Sequence, residues 1–556
     1  MKRQAQRELP ASEAMSARRA YALAVLSGVM LGCSFPPSNL GILACFGLVP
    51  LLVAVEGAQK LRRTLKLTYA AMLVFHIITL NWTGGYAHAK DPYMMIAGAI
   101  TMFVHPVFYF LPMGAYHLVR KSFGDRAGLA AFPFLWVGYE YSHSLSEWSF
   151  PWLTIGNSQS YDIARIQFIS VTGIWGLSLW ILMMNVLAFL LYRALVPKPE
   201  NITRKHVVLL ASLAALYALP AAQGYLYLSG LDAHATSGTP VTVGMIQSNV
   251  DPWDKWSKTG PEMTSLYMDL TRSLIEAHPS RHPQIVLWPE TAIPDYLLLP
   301  RQRPLLEGIR RGLDTLHVAI LTGLEHAVVY EDPSRAPKSA RSDPRSNARY
   351  DAFNAAAFIQ PGVKDIPWYG KMKMVPLAER IPYADVFAFL DFMRWGVGIG
   401  GWQIGPDKIV FTDSATGAHF ATLICYESVY PGFVASFVRK GAQFLTLITI
   451  DSWWDKMSGA YQHRQFAVFR AVENRRWIAR CAVGGISCYI DPQGRTYDAT
   501  ELFTKAALDR TIYASDELTF YTRYGDWLGE IALSLALLSV AAAAGQRFLN
   551  RKREIS

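Results

Sequence analysis

Long apolar runs fill the first 230 residues of the chain, and one more lies near its C-terminus. A transmembrane helix needs about 20 consecutive, mostly apolar residues. Eight stretches fit, near residues 20–36, 40–56, 66–86, 93–119, 127–143, 165–192, 206–229 and 526–546. The fifth is the weakest, because it is short and carries Glu140 near one end. The pattern predicts a helical membrane domain of about eight transmembrane helices, seven of them in residues 20–230 and the last at 526–546.

Residues 236–515 have the alternating pattern of a globular domain. Short apolar runs predict strands at 241–246, 285–288, 318–321, 354–359, 420–424 and 444–450, with a closing hairpin over 481–490. Helical spacing predicts helices at 261–278, 302–316 and 461–480. Strands that alternate with helices indicate an α/β layered fold. Five glycines between 396 and 405 indicate a loop, which is either an apolar lid or a plain surface loop.

Charged residues make up 17% of the chain, below the roughly 25% of soluble domains. Positive charge collects in alternate loops and at both termini: Arg18, Arg19, Lys60, Arg62, Arg63, Lys66, Arg120, Lys121, Arg126, Arg193, Lys198, Arg204, Lys205, Arg547, Arg551, Lys552 and Arg553. The positive-inside rule therefore predicts cytoplasmic termini, at 1–19 and 547–556, and an external globular domain. The net charge of +10 reflects this topology and contact with anionic membrane lipid, and indicates no nucleic-acid partner.

The five cysteines show no CxxC motif and no Cys/His zinc spacing, so neither a disulfide scaffold nor a metal site is expected. Pairing of Cys481 with Cys488 stays open. No diffusible cofactor is indicated either.

Three candidate chemical groups lie at separate predicted strand ends. Glu290 comes just past the strand at 285–288, Lys371 lies in the stretch 369–379, and Cys425 ends the strand at 420–424. A carboxylate can take a thiol proton, the thiolate can attack a carbonyl, and an ammonium can stabilise the oxyanion. Taken singly, each residue also has an ordinary interpretation, since glutamate caps turns, lysine is solvated and free cysteine is often buried.

The motifs around these three groups resemble the Glu-Lys-Cys site of the nitrilase superfamily. They are Trp288-Pro-Glu290, Lys371 with Val375-Pro376 and Glu379, and Ile424-Cys425-Tyr426-Glu427. Together with eight spans, they resemble the apolipoprotein N-acyltransferases of bacterial inner membranes. Other stretches agree with that family: Phe150-Pro-Trp152, Gln247, Trp256, Asp451, Trp453, Gln462-His463, Arg470-Ala471, Glu473, Asp491-Pro-Gln-Gly494 and Tyr524-Gly-Asp-Trp527.

The resemblance implies an α-β-β-α sandwich over 236–515, on the periplasmic face of the inner membrane. Cys425 is then expected to take an acyl chain from a phospholipid donor as a thioester. The chain would pass to the amino group of a diacylglyceryl apolipoprotein acceptor, and we expect a monomer. The expected catalytic residues are Glu290, Lys371 and Cys425; the expected supporting or substrate-binding residues are Glu379, Tyr426, Glu427 and Trp256, with Tyr426 and Glu427 lining the site and Trp256 near its entrance. Lys373 fits the lysine position less well than Lys371.

The sequence departs from the family pattern at positions that flank the expected site. They are Leu377-Ala378, Ile450, Trp454-Asp455 and Ala482-Val483. Because the three chemical residues are intact, activity is expected, and the preferred donor and acceptor stay open.

Alternatives remain for the aromatic cluster and for the reaction. Trp82, Tyr86, His88, Trp148, Phe150 and Trp152 form either an interfacial aromatic belt or the border of a lipid entrance. A membrane-bound amidase or other nitrilase-type hydrolase would use the same three groups with water as acceptor. A transporter is disfavoured, because the spans contain few charges and show no evident repeat.

Overall fold

The computed structural model describes residues 15–85, 91–196, 201–229, 237–337, 340–343, 346, 348–383, 386 and 401–555. The predicted lid at 396–405 and the aromatic pair Tyr86 and His88 therefore lie wholly or partly outside the described residues. The described N-terminal helices are α1 (Ala17–Cys33), α2 (Val49–Glu56), α3 (Leu61–Leu80), α4 (Pro92–Phe103), α5 (Phe110–Phe123), α6 (Asp125–Leu145), α7 (Ile169–Leu195) and α8 (Arg204–Ser229).

Five helical segments among the described residues are long and apolar enough to cross a membrane. They are Leu61–Leu80, Pro92–Phe123, Arg165–Leu195, Arg204–Ser229 and Trp527–Arg553. The other predicted spans are also helical but shorter or more polar, at α1, Gly41–Glu56 and α6. A membrane domain is thus confirmed, while the count of eight spans stays a prediction.

Small residues let the membrane helices approach one another closely. A Cβ atom at Gly28 of α1 would lie 2.3 Å from the carbonyl oxygen of Ala71 in α3, so only glycine fits there. The C-terminal helix α14 (Trp527–Ile555) packs against α5 and α6, and Gly138 meets the backbone of Leu533 in the same way. Close packing of this kind is usual between helices in membranes.

The described residues of the globular domain form two β-sheets. Strand bounds are β1 Thr239–Gln247, β2 Ile285–Ile293, β3 Ala319–Val329, β4 Arg341–Ser342, β5 Arg349–Ile359, β6 Trp368–Gly370, β7 Phe411–Thr412, β8 His419–Ile424, β9 Phe444–Thr449, β10 Ile478–Ala482, β11 Cys488–Ile490, β12 Thr496–Tyr497 and β13 Ala506–Ala514. The first sheet has the order β13-β1-β2-β3-β5-β4, with β6 paired to β5, and the second has the order β12-β11-β10-β9-β8-β7.

Helices cover the outer face of each sheet. The remaining helices are α9 (Gly260–Ala277), α10 (Arg303–Leu316), α11 (Pro431–Arg439), α12 (Ser458–Asn474) and α13 (Phe520–Tyr524). Helix α9 packs on β1, β2 and β13, whereas α12 packs on β10 and β11. The inner faces meet through buried side chains such as Leu287, Leu423 and Leu447. The α-β-β-α sandwich predicted from the resemblance is therefore confirmed.

The predicted helix at 461–480 is wrong at its C-terminal end. Helix α12 ends at Asn474, because Arg475 adopts a left-handed backbone conformation with φ of 51°. Residues 478–482 then form β10, in which Arg480 faces Asp451 across the sheet edge. Cys481 and Cys488 are both free thiols, so the pair left open by the sequence is not a disulfide.

Candidate active site

Cys425 lies at a strained turn directly after β8. Its φ of 53° falls in the left-handed region, which non-glycine residues rarely adopt. The turn is held because the Ile424 N–H donates to Glu427 Oε2 at 2.8 Å, and the Ser428 hydroxyl donates to the Cys425 carbonyl at 3.0 Å. Strain of this kind persists only where surrounding contacts over-determine it, and it is common at reactive residues.

Glu290 lies on a bulge in β2. The parallel register between β2 and β3 is regular up to Trp288 paired with Thr322, and is shifted where Ile293 pairs with Leu324. The extra residues approach β3 so closely that a Cβ at Gly323 would lie 2.4 Å from the Pro289 carbonyl oxygen. The bulge therefore requires glycine opposite it.

Two donors fix the Glu290 carboxylate in place. Asn354 Nδ2 donates to Oε1 at 2.8 Å, and the Ile450 backbone N–H donates to Oε2 at 3.0 Å. The Lys371 ammonium lies 3.4 Å from Oε1. Each carboxylate oxygen of Glu290 is thus held from a different strand or loop.

Lys371 is fully buried between two carboxylates. It follows β6, its backbone N–H donates to the Asn354 carbonyl at 2.8 Å, and its Nζ lies 2.6 Å from Glu379 Oε1. Burial alone would lower the pKa of this ammonium, but the carboxylates of Glu379 and Glu290 raise it above the ordinary value. Lys371 therefore remains a cation throughout the physiological range.

Glu379 links Lys371 to the loop that follows it. Its Oε2 accepts the Val375 N–H at 2.9 Å, while Oε1 faces the ammonium. Burial raises the pKa of Glu379, and the neighbouring Lys371 charge works in the opposite direction.

The Cys425 thiol is 8% exposed and faces the same cavity as Glu290 and Glu379. Burial, reinforced by the negative charge of Glu290, raises its pKa well above 9.0, although Lys371 opposes this. At neutral pH the sulfur is consequently protonated at rest. Such a site needs a base to remove the thiol proton as the sulfur attacks.

The cavity in front of Cys425 is shared by the membrane helices and the sandwich. Among the described residues, its apolar wall is largely aromatic: Trp82, Phe108, Trp148, Phe150, Trp152, Tyr426, Trp453 and Trp454. Helix α4 adds small and aliphatic side chains from Ala97 to Thr101, and the exposed Val104 follows them. Four of the aromatic residues whose role the sequence left open thus line the cavity with Cys425. They are Trp82, Trp148, Phe150 and Trp152.

Tyr426 and Glu427 follow Cys425 but face different surroundings. The Tyr426 ring lines the cavity, stacks on Trp152 with 6.3 Å between ring centroids, and donates from its hydroxyl to the Ser149 carbonyl at 3.2 Å. Glu427 was expected to line the site as well, but its side chain is fully buried beneath it. It accepts from the Tyr369 hydroxyl and from the Met372 N–H, both at 2.6 Å, so it supports the site from behind.

Trp256 does not line the cavity in the described part of the chain. Its ring lies beside the Lys255 ammonium, 5.5 Å from Nζ. Trp253, three residues earlier, instead contacts the cavity residue Trp453 with 5.2 Å between ring centroids. Lys373 also lies away from Glu290, with its Nζ 4.9 Å from the Tyr430 ring centroid.

A buried polar network behind Cys425 was only partly visible in the sequence. His463 Nε2 lies 3.0 Å from the Cys425 carbonyl oxygen, and its Nδ1 lies 2.8 Å from Asp451 Oδ1. Arg480 holds Asp451 Oδ2 at 2.6 Å. Burial alone would raise the pKa of Asp451, but Arg480 and His463 lower it below the ordinary value.

Asn354 is the site residue that sequence reasoning missed. It lies on β5 among buried apolar residues and directs its amide at Glu290. A lone buried amide in an apolar strand needs a hydrogen-bond partner, and that requirement was the available signal.

Two family models match the chain. "Apolipoprotein N-acyltransferase N-terminal domain" matches residues 27–187, and "Carbon-nitrogen hydrolase" matches residues 243–516. The unmatched residues between them, 188–242, contain α8 and the start of β1, so the change from membrane helices to the sandwich lies in this interval.

Relatives of known name align over nearly the whole length. The chain is 34% identical over 538 residues to the apolipoprotein N-acyltransferase of Chlorobaculum tepidum, which covers 95% of this chain and 97% of that one. It is 32% identical over 538 residues to the protein of the same name from Geobacter metallireducens, which covers 95% and 96%. Among solved structures, an amidase from Nesterenkonia sp. matches with 17% identity and a TM-score of 0.35, over 52% of this chain and 95% of that one. On the whole-length identity to these relatives, the chain belongs to the apolipoprotein N-acyltransferase family.

Proposed function

We propose that this protein transfers an acyl chain from a membrane phospholipid to the N-terminal amine of a diacylglyceryl-cysteine, the last step of bacterial lipoprotein maturation. The observation that carries the proposal is the shared cavity, in which Cys425 and Glu290 lie opposite residues of the membrane domain. Both substrates are anchored in lipid, so a thiol that opens onto such a wall can reach their ester and amine. Family membership supports the same activity.

The first half-reaction forms a thioester on Cys425. Glu290 takes the thiol proton while the sulfur attacks the sn-1 ester carbonyl of the phospholipid. Lys371, held cationic by its two carboxylate neighbours, stabilises the negative charge that develops on the carbonyl oxygen. When the ester C–O bond breaks, Glu290 returns the proton to the leaving glycerol oxygen, and a lysophospholipid departs.

The second half-reaction passes the acyl chain to nitrogen. The neutral amine of the acceptor attacks the thioester carbonyl, and Glu290 accepts a proton from that nitrogen. The C–S bond then breaks, the proton goes to the Cys425 sulfur, and an amide is released. Because one thioester serves both substrates, the two bind in turn and ping-pong kinetics are expected.

Supporting residues act through these three catalytic residues. Glu379 orients Lys371 and sets its charge, and Glu427 fixes the turn at Cys425. Tyr426 contributes a flat apolar surface for the acyl chain. Trp256 was expected near the entrance of the site. It is proposed instead to act on the Glu290 side, through its contact with Lys255.

The proposed topology follows the distribution of positive charge. Residues 1–19 and 547–556 are cytoplasmic, 20–230 and 526–546 span the membrane, and 236–515 form the periplasmic catalytic domain. The protein is proposed to act as a monomer in the bacterial inner membrane. A soluble substrate would not require a cavity built on membrane helices, so nitrilase-type hydrolysis is not favoured.

Intact-mass spectrometry tests the proposal. The purified protein is incubated with a phospholipid of defined acyl chains, beside Cys425→Ala and the control Cys33→Ala, whose thiol lies outside the cavity. We expect one added acyl chain that hydroxylamine removes, present in the control and absent from Cys425→Ala. A diacylglyceryl peptide should then discharge the adduct onto its amine.

Two outcomes would overturn this proposal. A folded wild-type protein that gains no acyl chain would exclude the first half-reaction. Rapid release of free fatty acid in the presence of the peptide, with no amide product, would make the protein a hydrolase.

A further inference from the structure

Lys255 is a buried cation that the proposed chemistry does not use. It lies in a short 3-10 helix, Lys255–Ser257, between β1 and α9, and is 1% exposed. Fully buried lysines are rare unless their charge and their N–H groups have partners. The partners of this one lie on the bulge that carries Glu290.

The ammonium contacts consecutive residues of that bulge. Nζ donates to the Glu290 backbone carbonyl at 3.0 Å and to the Thr291 hydroxyl. The Trp256 ring, 5.5 Å from Nζ, covers the cation on another side. Lys255 thus joins the loop after β1 to the backbone of the expected general base.

The bulge is a segment that needs such support. Thr291 has a φ of 44°, and a β-branched residue in that region is a genuine outlier. Strain of this size persists only where neighbouring contacts hold it. Asn354 and Ile450 hold the Glu290 carboxylate, but it is Lys255 that holds its backbone.

Carboxylates on two strands face Lys255, while Lys371 binds Glu290 and Glu379 on the cavity side. Lys255 is faced by Glu290 from β2 and by Glu325 from β3, and both favour its charged form. Burial nevertheless lowers the pKa of Lys255 to about 7, so its charge is sensitive to its surroundings.

We propose that Lys255 is a positioning residue for Glu290, which holds the bulge in its strained conformation and so keeps the Glu290 carboxylate placed to take the thiol proton. This inference rests on the proposed function, because it concerns the base of the thioester-forming step. It adds to that function a residue that touches neither substrate nor the reacting atoms.

The test compares the maximal rate of thioester formation, and the phospholipid concentration that gives half of it, among variants of the full-length protein in detergent. Lys255→Met removes the charge and both hydrogen bonds, while Lys255→Arg retains a charge. Lys258→Met is the matched control, since Lys258 is an exposed lysine in the same loop. Thr291→Val removes one hydrogen bond and leaves the Lys255 charge in place.

For Lys255→Met we expect the maximal rate of thioester formation to fall by about 10-fold to 100-fold, because a displaced bulge misplaces the Glu290 carboxylate. The phospholipid concentration that gives half the maximal rate should stay at the wild-type value, since Lys255 touches no substrate. Thr291→Val should lose less, Lys255→Arg should recover part of the rate, and Lys258→Met should match wild type throughout.

The outcomes separate this inference from the proposed function. If wild type forms no thioester, the function itself fails. If wild type forms one and folded Lys255→Met keeps the wild-type maximal rate, Lys255 does not position Glu290. If Lys255→Met does not fold, Lys255→Gln and Thr291→Val carry the test, and a wild-type maximal rate in both overturns the inference.

Discussion

Replacement of Gln462 by leucine should separate the membrane wall of the cavity from the catalytic domain. Gln462 lies on α12 and is 1% exposed. Its Oε1 accepts from Trp152 Nε1 at 2.7 Å and from Trp82 Nε1 at 3.1 Å. Its Nε2 donates to the carbonyls of Pro36 at 2.9 Å and Thr79 at 3.0 Å. One amide of the sandwich thus binds three segments of the membrane domain.

The size of the destabilisation follows from the number of buried polar groups that would lose their hydrogen bond to the Gln462 amide. Trp82 Nε1 also donates to the Thr79 carbonyl at 3.0 Å, so those two groups still have each other. The indole N–H of Trp152 and the carbonyl of Pro36 lose the partner they have here. A buried polar group left unpaired costs about 1–3 kcal/mol, so Gln462→Leu should destabilise the protein by about 2–6 kcal/mol.

Two measurements check the prediction. The melting temperature in detergent should fall for Gln462→Leu, and the KM for the phospholipid should rise, because Trp82 and Trp152 are no longer aimed into the cavity. As a control, the rate of Cys425 alkylation should change much less, since other contacts hold the backbone turn at Cys425.

Gln546→Leu is the matched control, because the Gln546 amide contacts only Asn550 on the same helix among the described residues. The reasoning is refuted if Gln462→Leu has the same melting temperature as the control and retains the wild-type KM. A fall in melting temperature without any change in KM would refute only the link between Gln462 and the cavity wall.

Glu290→Gln is expected to slow thioester formation by about 10²–10⁴-fold, the usual contribution of one general base; an undiminished rate would exclude Glu290 from that role. The rate of Cys425 alkylation by iodoacetamide should still be rising above pH 9, because burial raises the pKa of the thiol. A plateau reached by pH 7 would instead reveal a resting thiolate. Gly323→Ala should abolish thioester formation, since its Cβ would lie 2.4 Å from the Pro289 carbonyl oxygen, whereas Gly308→Ala, with open space around it, should be silent; equal activity of the two would refute the need for glycine opposite the bulge.

The fold class was accessible to sequence reasoning because it depends on periodicity and long apolar runs. The strands around Ile285 and Phe420 are short apolar segments bounded by turns, and both are present. The strand Ala506–Ala514 was missed, although it pairs antiparallel with β1 along its full length. It is only half-buried, so it lacks the continuous apolar run that identified the others.

The end of α12 shows what local pattern cannot supply. Residues 475–480 continue a helical composition, yet Arg475 turns into a left-handed conformation and Arg480 enters a strand. Arg480 is fully buried there because Asp451 provides an opposite charge from a distant part of the chain. Such a tertiary ion pair overrides local propensity and is invisible in sequence alone.

Two departures from the family pattern become understandable from the contacts. Ile450 binds Glu290 through its backbone N–H, which any residue except proline supplies, while its side chain lines the cavity. Trp454 lines the cavity and packs against Trp82 with 4.6 Å between ring centroids. Both side chains therefore belong to the wall that a lipid chain would touch in the proposed function.

Adjacent residues of α12 connect the two halves of the site. Gln462 binds the tryptophans of the membrane wall, and His463 lies 3.0 Å from the carbonyl of Cys425. Neighbours in an α-helix point about 100° apart, so one rigid helix can serve both directions at once. Helix α12 therefore contacts both the turn that carries Cys425 and the membrane-domain wall of the cavity. In the proposed mechanism the thioester keeps the same acyl chain in the cavity through both half-reactions, so a change in the position of this wall should alter both steps together.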